Sequence, residues 1–194
     1  HWMFTPPPEE AAPPRPLAPS RPSEDEPAYH SPLESDNAHR FLRGNVTHKL
    51  LELLPSLAPA QREEAARLYV EDAAKDLSAN VQASIIRETL NVLTHPEFAP
   101  VFGAGSMAEV PLTGLINNQV ISAQIDRMLV TDTEVFIVDF KTNRPSPTDE
   151  NSVPAIYKKQ LKSYADVMRH IYPDKAIRTA LLWTDRAALM EIEV

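Results

Sequence analysis

The segment that most constrains the fold is an almost wholly apolar run at residues 135–141, whose two charged groups are Asp139 and Lys141. Side chains alternate faces along a β-strand, so these two groups project to the same side, while Phe136 and Phe140 point to the other. A carboxylate and an ammonium on one face of such a hydrophobic strand are costly to bury unless they have a role. The segment therefore predicts a sheet strand that carries chemistry at its end.

A second carboxylate comes from the preceding strand. Asp126 lies in the strand pattern that runs from Gln119 to Val130, thirteen positions before Asp139, and the polar turn 131–134 joins the two strands. Two carboxylates that share a divalent cation, with an ammonium beside them, suit the hydrolysis of a phosphodiester. The alternative is a buried ion-pair network with a purely structural role.

The absence of cysteine excludes several other kinds of site. Because none of the 194 residues is Cys, the sequence offers no disulfide scaffold, zinc–thiolate site, iron–sulfur cluster or cysteine nucleophile. No apolar run approaches the roughly 18 residues that span a bilayer, and the first residues lack the apolar core of a signal peptide. We therefore expect a cytoplasmic protein with no membrane partner.

The negative charge of the chain is concentrated near its start. The formal net charge is −8, of which residues 1–36 carry −5 and the remaining residues −3. Within 141–162 the sign reverses, and this predicts a local basic patch that consists of Lys141, Arg144, Lys158, Lys159 and Lys162. If the protein acts on nucleic acid, other domains or subunits must supply most of the electrostatic attraction.

Residues 1–36 contain ten of the nineteen prolines, a density that disfavours both helix and sheet. We interpret them as a disordered, acidic, Pro-rich linker that joined two domains, so that the chain is a piece of a longer polypeptide. An ordinary disordered tail is the alternative. Residues 37–194 are predicted to form one domain, with a helical part at 37–95 and a catalytic sheet with a crossover helix at 106–194.

Three amphipathic helices are predicted in the helical part, at residues 37–54, 59–77 and 78–93, because apolar residues recur at the spacing of one helix face. The charges of the second and third helices are interpreted as solvated faces without chemistry. The predicted apolar stripes are Leu42, Val46, Leu50, Leu53 and Leu54 in the first helix, Ala65, Leu68, Tyr69, Ala73 and Leu77 in the second, and Val81, Ile85, Thr89 and Val92 in the third.

The periodicity changes from helical to strand-like after residue 105. The predicted elements are strands at 107–112, 119–130 and 135–141, a helix from Pro154 to about Ile171 with the stripe Leu161, Tyr164, Ala165, Met168 and Ile171, and strands at 176–183 and 187–192. The first three strands form an antiparallel meander, which places Glu109 on the same sheet as the two aspartates. This order of elements predicts an α/β sandwich with a mixed central sheet.

Several short motifs occur in a fixed order along the chain. They are Arg43-Gly44-x-x-x-His48-x-Leu50-Leu51-Glu52, Ile125-Asp126-Arg127, Val138-Asp139-Phe140-Lys141-Thr142 and Gln160-x-x-x-Tyr164. Together they resemble the RecB-like branch of the PD-(D/E)xK nucleases, and within it the C-terminal nuclease domain of AddA-type helicase–nuclease subunits. The resemblance covers residues 37–185, and it implies a PD-(D/E)xK nuclease-like α/β sandwich with a mixed central sheet flanked by helices.

The resemblance also implies a role for each motif residue. The implied ligands of Mg²⁺, with Mn²⁺ as an alternative, are His48, Asp126, Asp139 and the backbone carbonyl of Phe140. The implied catalytic residues are Asp126, Asp139, Lys141 and Glu109. The residues implied to position the site or the nucleic acid are Gln160, Tyr164, Arg127 and Thr142. Judged without this resemblance, His48 would be interpreted as a structural or surface histidine. For Glu109 two roles remain, a metal ligand or a structural group.

The implied function is hydrolysis of single-stranded DNA that a helicase motor delivers, in double-strand break processing and recombinational repair. The implied partners are single-stranded DNA, the helicase domains of the same polypeptide and an AddB-type subunit, and no nucleotide-binding site is expected in this chain. One alternative is a catalytically silent nuclease-like domain for DNA binding or assembly. The other is a stand-alone PD-(D/E)xK nuclease.

Overall fold

A five-stranded sheet forms the centre of the computed structural model, which describes residues 34–194 and their side chains from residue 38 onward. Its strands are β1 (Ser106–Ile116), β2 (Gln119–Val130), β3 (Glu134–Lys141), β4 (Ala176–Trp183) and β5 (Ala188–Glu191). They lie side by side in chain order. Strands β3 and β4 are parallel and the other neighbours antiparallel, so the predicted mixed sheet is confirmed.

Five α-helices flank this sheet. They are α1 (Glu34–Leu53), α2 (Pro59–Ala73), α3 (Ala79–Thr94), the single turn α4 (Ala99–Phe102) and α5 (Ala155–Ile171). Short 3-10 turns lie at Leu54–Ser56, Pro96–Phe98 and Glu150–Ser152. The second helix ends before the predicted residue 77, because the N–H of Ala74 closes its last turn on the carbonyl of Val70 and the chain then turns.

Helix α5 covers one face of the sheet, as expected of a crossover between the parallel strands β3 and β4. Its Leu161 and Tyr164 are fully buried against Ile125, Ile137 and Leu181, one from each central strand. The alternation of side chains along β3 therefore follows the prediction on this face. Asp139 and Lys141, which share the parity of Ile137, are directed toward α5.

The opposite face of the sheet packs against the helical part of the chain. Phe136, Val138 and Phe140 of β3 meet Leu51 of α1 and Val92 of α3 in a second apolar cluster. Helices α1, α2 and α3 also form a small core of their own. The molecule is thus an α/β sandwich in three layers, and the end of α1 that carries His48 rests directly on the sheet.

Three residues of the predicted apolar stripes are exposed instead of buried. Leu53, Leu68 and Ile171 have exposed fractions of 41%, 55% and 52%. In α2 the buried residues are Ala66 and Val70, so the true stripe is displaced from the predicted one. The small Ala66 allows close helix packing, and a periodicity argument weighted toward large side chains overlooks it.

The predicted linker at 1–36 lies outside the described residues except for its last three positions, where α1 begins. No helix among residues 34–194 is long and apolar enough to cross a bilayer. The small basic patch predicted for 141–162 does not form a free positive surface. Lys141, Arg144 and Lys158 each make an ion pair with a carboxylate of the described chain.

Candidate active site

Three acidic residues lie in one row across the first three strands. The register of the β1–β2 ladder places Glu109 level with Asp126, and the register of the β2–β3 ladder places Asp126 level with Asp139. The strands that the sequence separates by a hairpin and a polar turn thus bring their acids to the same height in the sheet. The row lies at the edge of the region where β2 and β3 still pair.

The ladders are interrupted at this row. Neither described ladder pairs a residue at the level of Asp126, and Glu109 has a φ of +51° in the left-handed region. In place of a ladder bond, the N–H of Phe140 donates to Asp126 Oδ2 over 2.6 Å. Such an irregularity redirects side chains and separates strands, as a β-bulge does. The floor of a cleft opens at this point.

The cleft has a volume of about 600 Å³ and is bounded by α1, the ends of β2 and β3, and the segment that follows β3. Six of the predicted site residues line it, namely His48, Glu109, Asp126, Asp139, Lys141 and Gln160. Phe140 and Thr142 line it as well. A Cβ at Gly44 would lie 3.4 Å from Thr142 Oγ1, so α1 passes close to the end of β3 here.

His48 and Asp126 form the pair at the α1 side of the row. His48 Nδ1 lies 3.2 Å from Asp126 Oδ1, and the imidazole meets the Phe140 ring edge-on. Burial lowers the pKa of His48, but the Asp126 and Asp139 carboxylates together leave it above its ordinary value. Burial raises the pKa of Asp126, and His48 with the Phe140 N–H outweighs this effect and leaves it lowered. The pKa of Asp126 is therefore the lowered one in the row.

Asp139 is the centre of a second, tighter network on the α5 side. Its Oδ2 lies 2.6 Å from Lys141 Nζ, and its Oδ1 accepts a hydrogen bond of 3.0 Å from Gln160 Nε2. Gln160 Oε1 in turn accepts from Lys141 Nζ at 2.9 Å, which closes a triangle of three side chains. Gln160 also contacts the hydroxyl of Tyr164 at 2.7 Å. One amide thus fixes both charged groups of β3.

Aromatic side chains of α5 pack against this triangle of Asp139, Lys141 and Gln160. The ammonium of Lys141 lies 4.3 Å from the ring centroid of Tyr157, a cation–π contact, and the Tyr157 hydroxyl donates to Asn143 Oδ1. Burial and the Asp126 charge raise the pKa of Asp139, although the Lys141 ammonium lowers it. Burial, with the Asp126 charge second, raises the pKa of Glu109 as well. The row therefore contains one low and two raised carboxyl pKa values.

Arg127 and Tyr164 are the two predicted site residues that do not line the cleft. Tyr164 is fully buried and reaches the site through Gln160, whereas Arg127 faces the other side of the sheet. The side chain of Arg127 is 5% exposed, its guanidinium donates to the carbonyl of Leu51 over 2.7 Å, and it stacks over Phe102. Ile125 faces α5 and Arg127 faces α1, because the interruption at Asp126 shifts the alternation by one residue. Arg127 thus attaches the end of α1 to the sheet and has no access to a ligand.

A cluster that the sequence interpretation missed lies beside the cleft. Glu88 of α3 is 5% exposed, and its Oε2 accepts from Arg43 of α1 and pairs with Arg144 from the segment after β3. Arg43 also donates to Ser84 Oγ at 2.8 Å. The available signal was an acid on the apolar side of α3, adjacent to the buried Thr89. Interpreting α3 as having only solvated charges was therefore wrong for Glu88.

The side chains at this site are of the types that bind a divalent cation. They are not arranged as a complete set of ligands. His48 Nδ1 and Asp126 Oδ1 are 3.2 Å apart, near the spacing of adjacent ligands on an octahedral ion with ligand distances of roughly 2.1 Å. No group of three or more His, Cys, Asp and Glu side chains within residues 38–194 could hold a metal ion by itself. A third protein ligand for an ion at this pair would have to be Asp139 or a backbone carbonyl.

Comparison with known proteins gives a family match and structural likenesses at low sequence identity. The family model described as the PD-(D/E)XK nuclease superfamily matches residues 26–191. Among solved structures, the crystal structure of SSO0001 is similar at 18% sequence identity over 83% of this chain and 78% of that chain, with a TM-score of 0.36. No curated protein matches the sequence. The family match spans every motif residue from Arg43 to Tyr164.

Proposed function

Because this chain belongs to the PD-(D/E)XK nuclease superfamily, we propose that it hydrolyses phosphodiester bonds of DNA with a divalent metal ion, Mg²⁺ or Mn²⁺, in the cleft beside α1. The observation that supports this most is the row of acids that ends in the Asp139–Lys141–Gln160 triangle. The row offers oxygen ligands at a cleft floor, and the triangle holds an ammonium beside them.

His48, Asp126 and Asp139 are the side chains proposed to hold the ion, with the Phe140 carbonyl as the backbone ligand. A bound divalent ion supplies Lewis acidity for the phosphoryl oxygen and lowers the pKa of an attacking water. The Phe140 N–H keeps the Asp126 carboxylate in place from the backbone side. Since the pKa of Asp126 is lowered and its carboxylate is fixed by His48 and the Phe140 N–H, it is proposed as the first ligand of this set.

Lys141 is proposed to contact the scissile phosphate. Its side chain is 12% exposed, and its ammonium is held by Asp139, Gln160 and the Tyr157 ring, so it has little freedom to reorient. A preorganised cation stabilises the charge that builds up on the phosphate oxygens without a reorganisation cost during the reaction. Gln160 keeps hold of Lys141 when Asp139 engages a metal ion. Glu109 completes the acidic side of the cleft.

The finer assignment is an exonuclease domain of an AddA-type ATP-dependent helicase–nuclease in the cytoplasm. In it, helicase domains of the same polypeptide and an AddB-type subunit deliver single-stranded DNA for double-strand break processing and recombinational repair. The motif set that resembles this branch supports the assignment, as does the net charge of −3 on residues 37–194, which leaves electrostatic attraction of DNA to other domains.

The test is cleavage of single-stranded DNA by the purified chain in Mg²⁺ or Mn²⁺. We expect metal-dependent cleavage by the wild type and a loss of at least 100-fold in Asp139→Ala and Lys141→Ala, on the order of the loss of a preorganised charge. Asp76→Ala and Lys75→Ala, an exposed acid and lysine in the turn after α2, are the matched controls. Equal activity in all five proteins would sink the catalytic assignment.

A catalytically silent module for DNA binding or assembly is the second candidate. It predicts DNA binding without metal-dependent cleavage by the wild type, so the same experiment separates the two. The presence of every catalytic residue type of the motif set in or beside one cleft argues against it. A stand-alone nuclease, the third candidate, would cleave DNA without any helicase partner.

A further inference from the structure

Two guanidinium groups share one carboxylate oxygen at the rim of the cleft. Arg43 Nη2 lies 2.6 Å from Glu88 Oε2, and Arg144 Nη2 contacts the same oxygen. The side chain of Glu88 is 7% exposed, whereas that of Arg144 is 41% exposed. The carboxylate therefore lies behind the two cations, which line the cleft, and it holds them at one place.

The cluster has more donors than its acceptors use. A guanidinium carries five N–H donors, and Arg43 directs two nitrogens to Glu88 and Ser84 while its Nε is buried with no hydrogen-bond partner. One described contact of Arg144 uses a single nitrogen. Arg40 lines the cleft beside them. Arg43 and Arg144 together carry one positive charge in excess of Glu88, and their planar donors match phosphate oxygens.

An exposed aromatic side chain lines the same cleft. Phe41 lines the cleft with 47% of its surface exposed, one residue after Arg40 and two before Arg43. An aromatic face beside a basic groove is the arrangement on which unpaired bases stack, and every base can use it because every base has a π-face. A base-paired strand would keep its bases stacked on each other and leave such a ring unused.

We propose that this rim is a subsite for one nucleotide of a single DNA strand, with a phosphate on Arg144 and Arg43 and a base on Phe41. This subsite rests on the proposed nuclease function. It selects a strand that has an unpaired base next to a bound phosphate. Glu88 acts as a positioning residue that keeps the two guanidinium groups side by side. The phosphate belongs to the strand, either at its 5′ end or within it.

Binding of a labelled single-stranded oligonucleotide to the full chain, in EDTA and over a series of salt concentrations, tests this subsite. Arg144→Ala should weaken binding about tenfold and reduce the slope of log affinity against log salt by about 0.7, the value for one phosphate contact on a single strand. Phe41→Ala should weaken binding about tenfold with an unchanged salt slope, since stacking releases no counterions. Oligonucleotides with a 5′-phosphate or a 5′-hydroxyl separate terminal from internal recognition.

Matched controls come from α2, away from the cleft. Arg67 is 47% exposed, close to the exposure of Arg144, and Leu68 is 55% exposed, close to that of Phe41. Arg67→Ala and Leu68→Ala should bind within about twofold of the wild type, because surface positions contribute little. If Arg144→Ala binds like Arg67→Ala, or Phe41→Ala like Leu68→Ala, the subsite does not exist.

Failure of the subsite and failure of the nuclease function give different results. A wild-type chain that binds DNA but leaves it uncut in Mg²⁺ and Mn²⁺ contradicts the nuclease function, while the effects of the two rim variants on binding still stand. A wild-type chain that cleaves DNA, with both rim variants binding like their controls, contradicts the subsite alone. Thermal melts of each variant check that all of them are folded.

Discussion

The two walls of the cleft differ in how exposed their side chains are. We call Asp139, Lys141 and Gln160 the α5 wall, and Arg144 and Phe41 the α1 wall. On the α5 wall, Asp139, Lys141 and Gln160 satisfy one another, and their side chains are almost inaccessible. On the α1 wall, Arg144 and Phe41 are two-fifths or more exposed, and Arg144 is held from behind by Glu88. The polar groups of the α5 wall bond to one another, whereas the α1 wall presents its hydrogen-bond donors and its aromatic ring to the solvent.

This difference suggests that the α5 wall serves catalysis and the α1 wall serves substrate binding. A group that must stabilise a transient charge acts best when its position is fixed before the substrate arrives. A group that must accept strands of any sequence gains from surface area and from spare donors. We therefore expect changes on the α5 wall to alter turnover and stability, and changes on the α1 wall to alter affinity.

The largest expected effect is a difference in kinetic parameters between variants of the two walls. Lys141→Ala should lower kcat by about 100- to 1000-fold, the usual loss for one preorganised charge, and change KM little. Arg144→Ala should raise KM about tenfold and leave kcat nearly unchanged, because its contact with a phosphate away from the scissile bond is made equally before and during the reaction. Steady-state kinetics on one oligonucleotide measures both. A KM effect for Lys141→Ala with normal kcat would reverse the assignment of the walls.

A smaller effect concerns the stability of the α5 wall. Gln160→Ala should destabilise the protein by about 1–3 kcal/mol, since it removes one buried hydrogen-bond partner from Asp139 and one from Lys141. Tyr164→Phe, which removes a single hydroxyl from the same network, should cost about 1 kcal/mol. Urea unfolding measures the difference. Equal losses in the two variants would mean that Gln160 acts mainly as a packing residue.

The smallest effect is the pH dependence of metal binding. The pKa values of His48 and Asp139 are raised, and both groups must lose a proton to bind an ion. Affinity is therefore complete above these folded-state pKa values and falls as the pH drops through them, by up to about tenfold per pH unit for each proton taken up. Asp126, with its lowered pKa, stays ionised over that range.

Calorimetric titration of Mn²⁺ at a series of pH values measures this decline, and His48→Asn supplies the comparison. The variant should retain the part of the pH dependence that belongs to Asp139 and lose the part that belongs to His48. A metal affinity that is flat with pH in the wild type would show that neither group is a ligand.

The elements of the fold could be predicted from sequence because each has a local signature. The alternation in β3 and the apolar stripe of α5 depend on neighbouring residues, and the structure contains both where the pattern placed them, except that the last stripe residue, Ile171, is exposed. The direction of Arg127 could not be predicted in this way. The alternation shifts at Asp126 through an irregularity whose partner is Glu109, seventeen positions away in sequence.

The site was predictable in part for a similar reason. Asp126, Asp139 and Lys141 lie on two consecutive strands, so the hairpin that joins them brings them together. Glu88 and Arg144 come from α3 and from a segment beyond β3, and their meeting depends on how the helical layer packs on the sheet. A periodic pattern carries no information about such contacts, and the acid on α3 was therefore interpreted as solvated.

The short bond from the Phe140 N–H to Asp126 gives the protein its own spectroscopic probe. A backbone amide that donates to a carboxylate over 2.6 Å has its proton resonance displaced far downfield. An ion that withdraws charge from Asp126 weakens this bond and moves the resonance back. Occupancy of the cleft can thus be followed at a single amide, without DNA and without turnover.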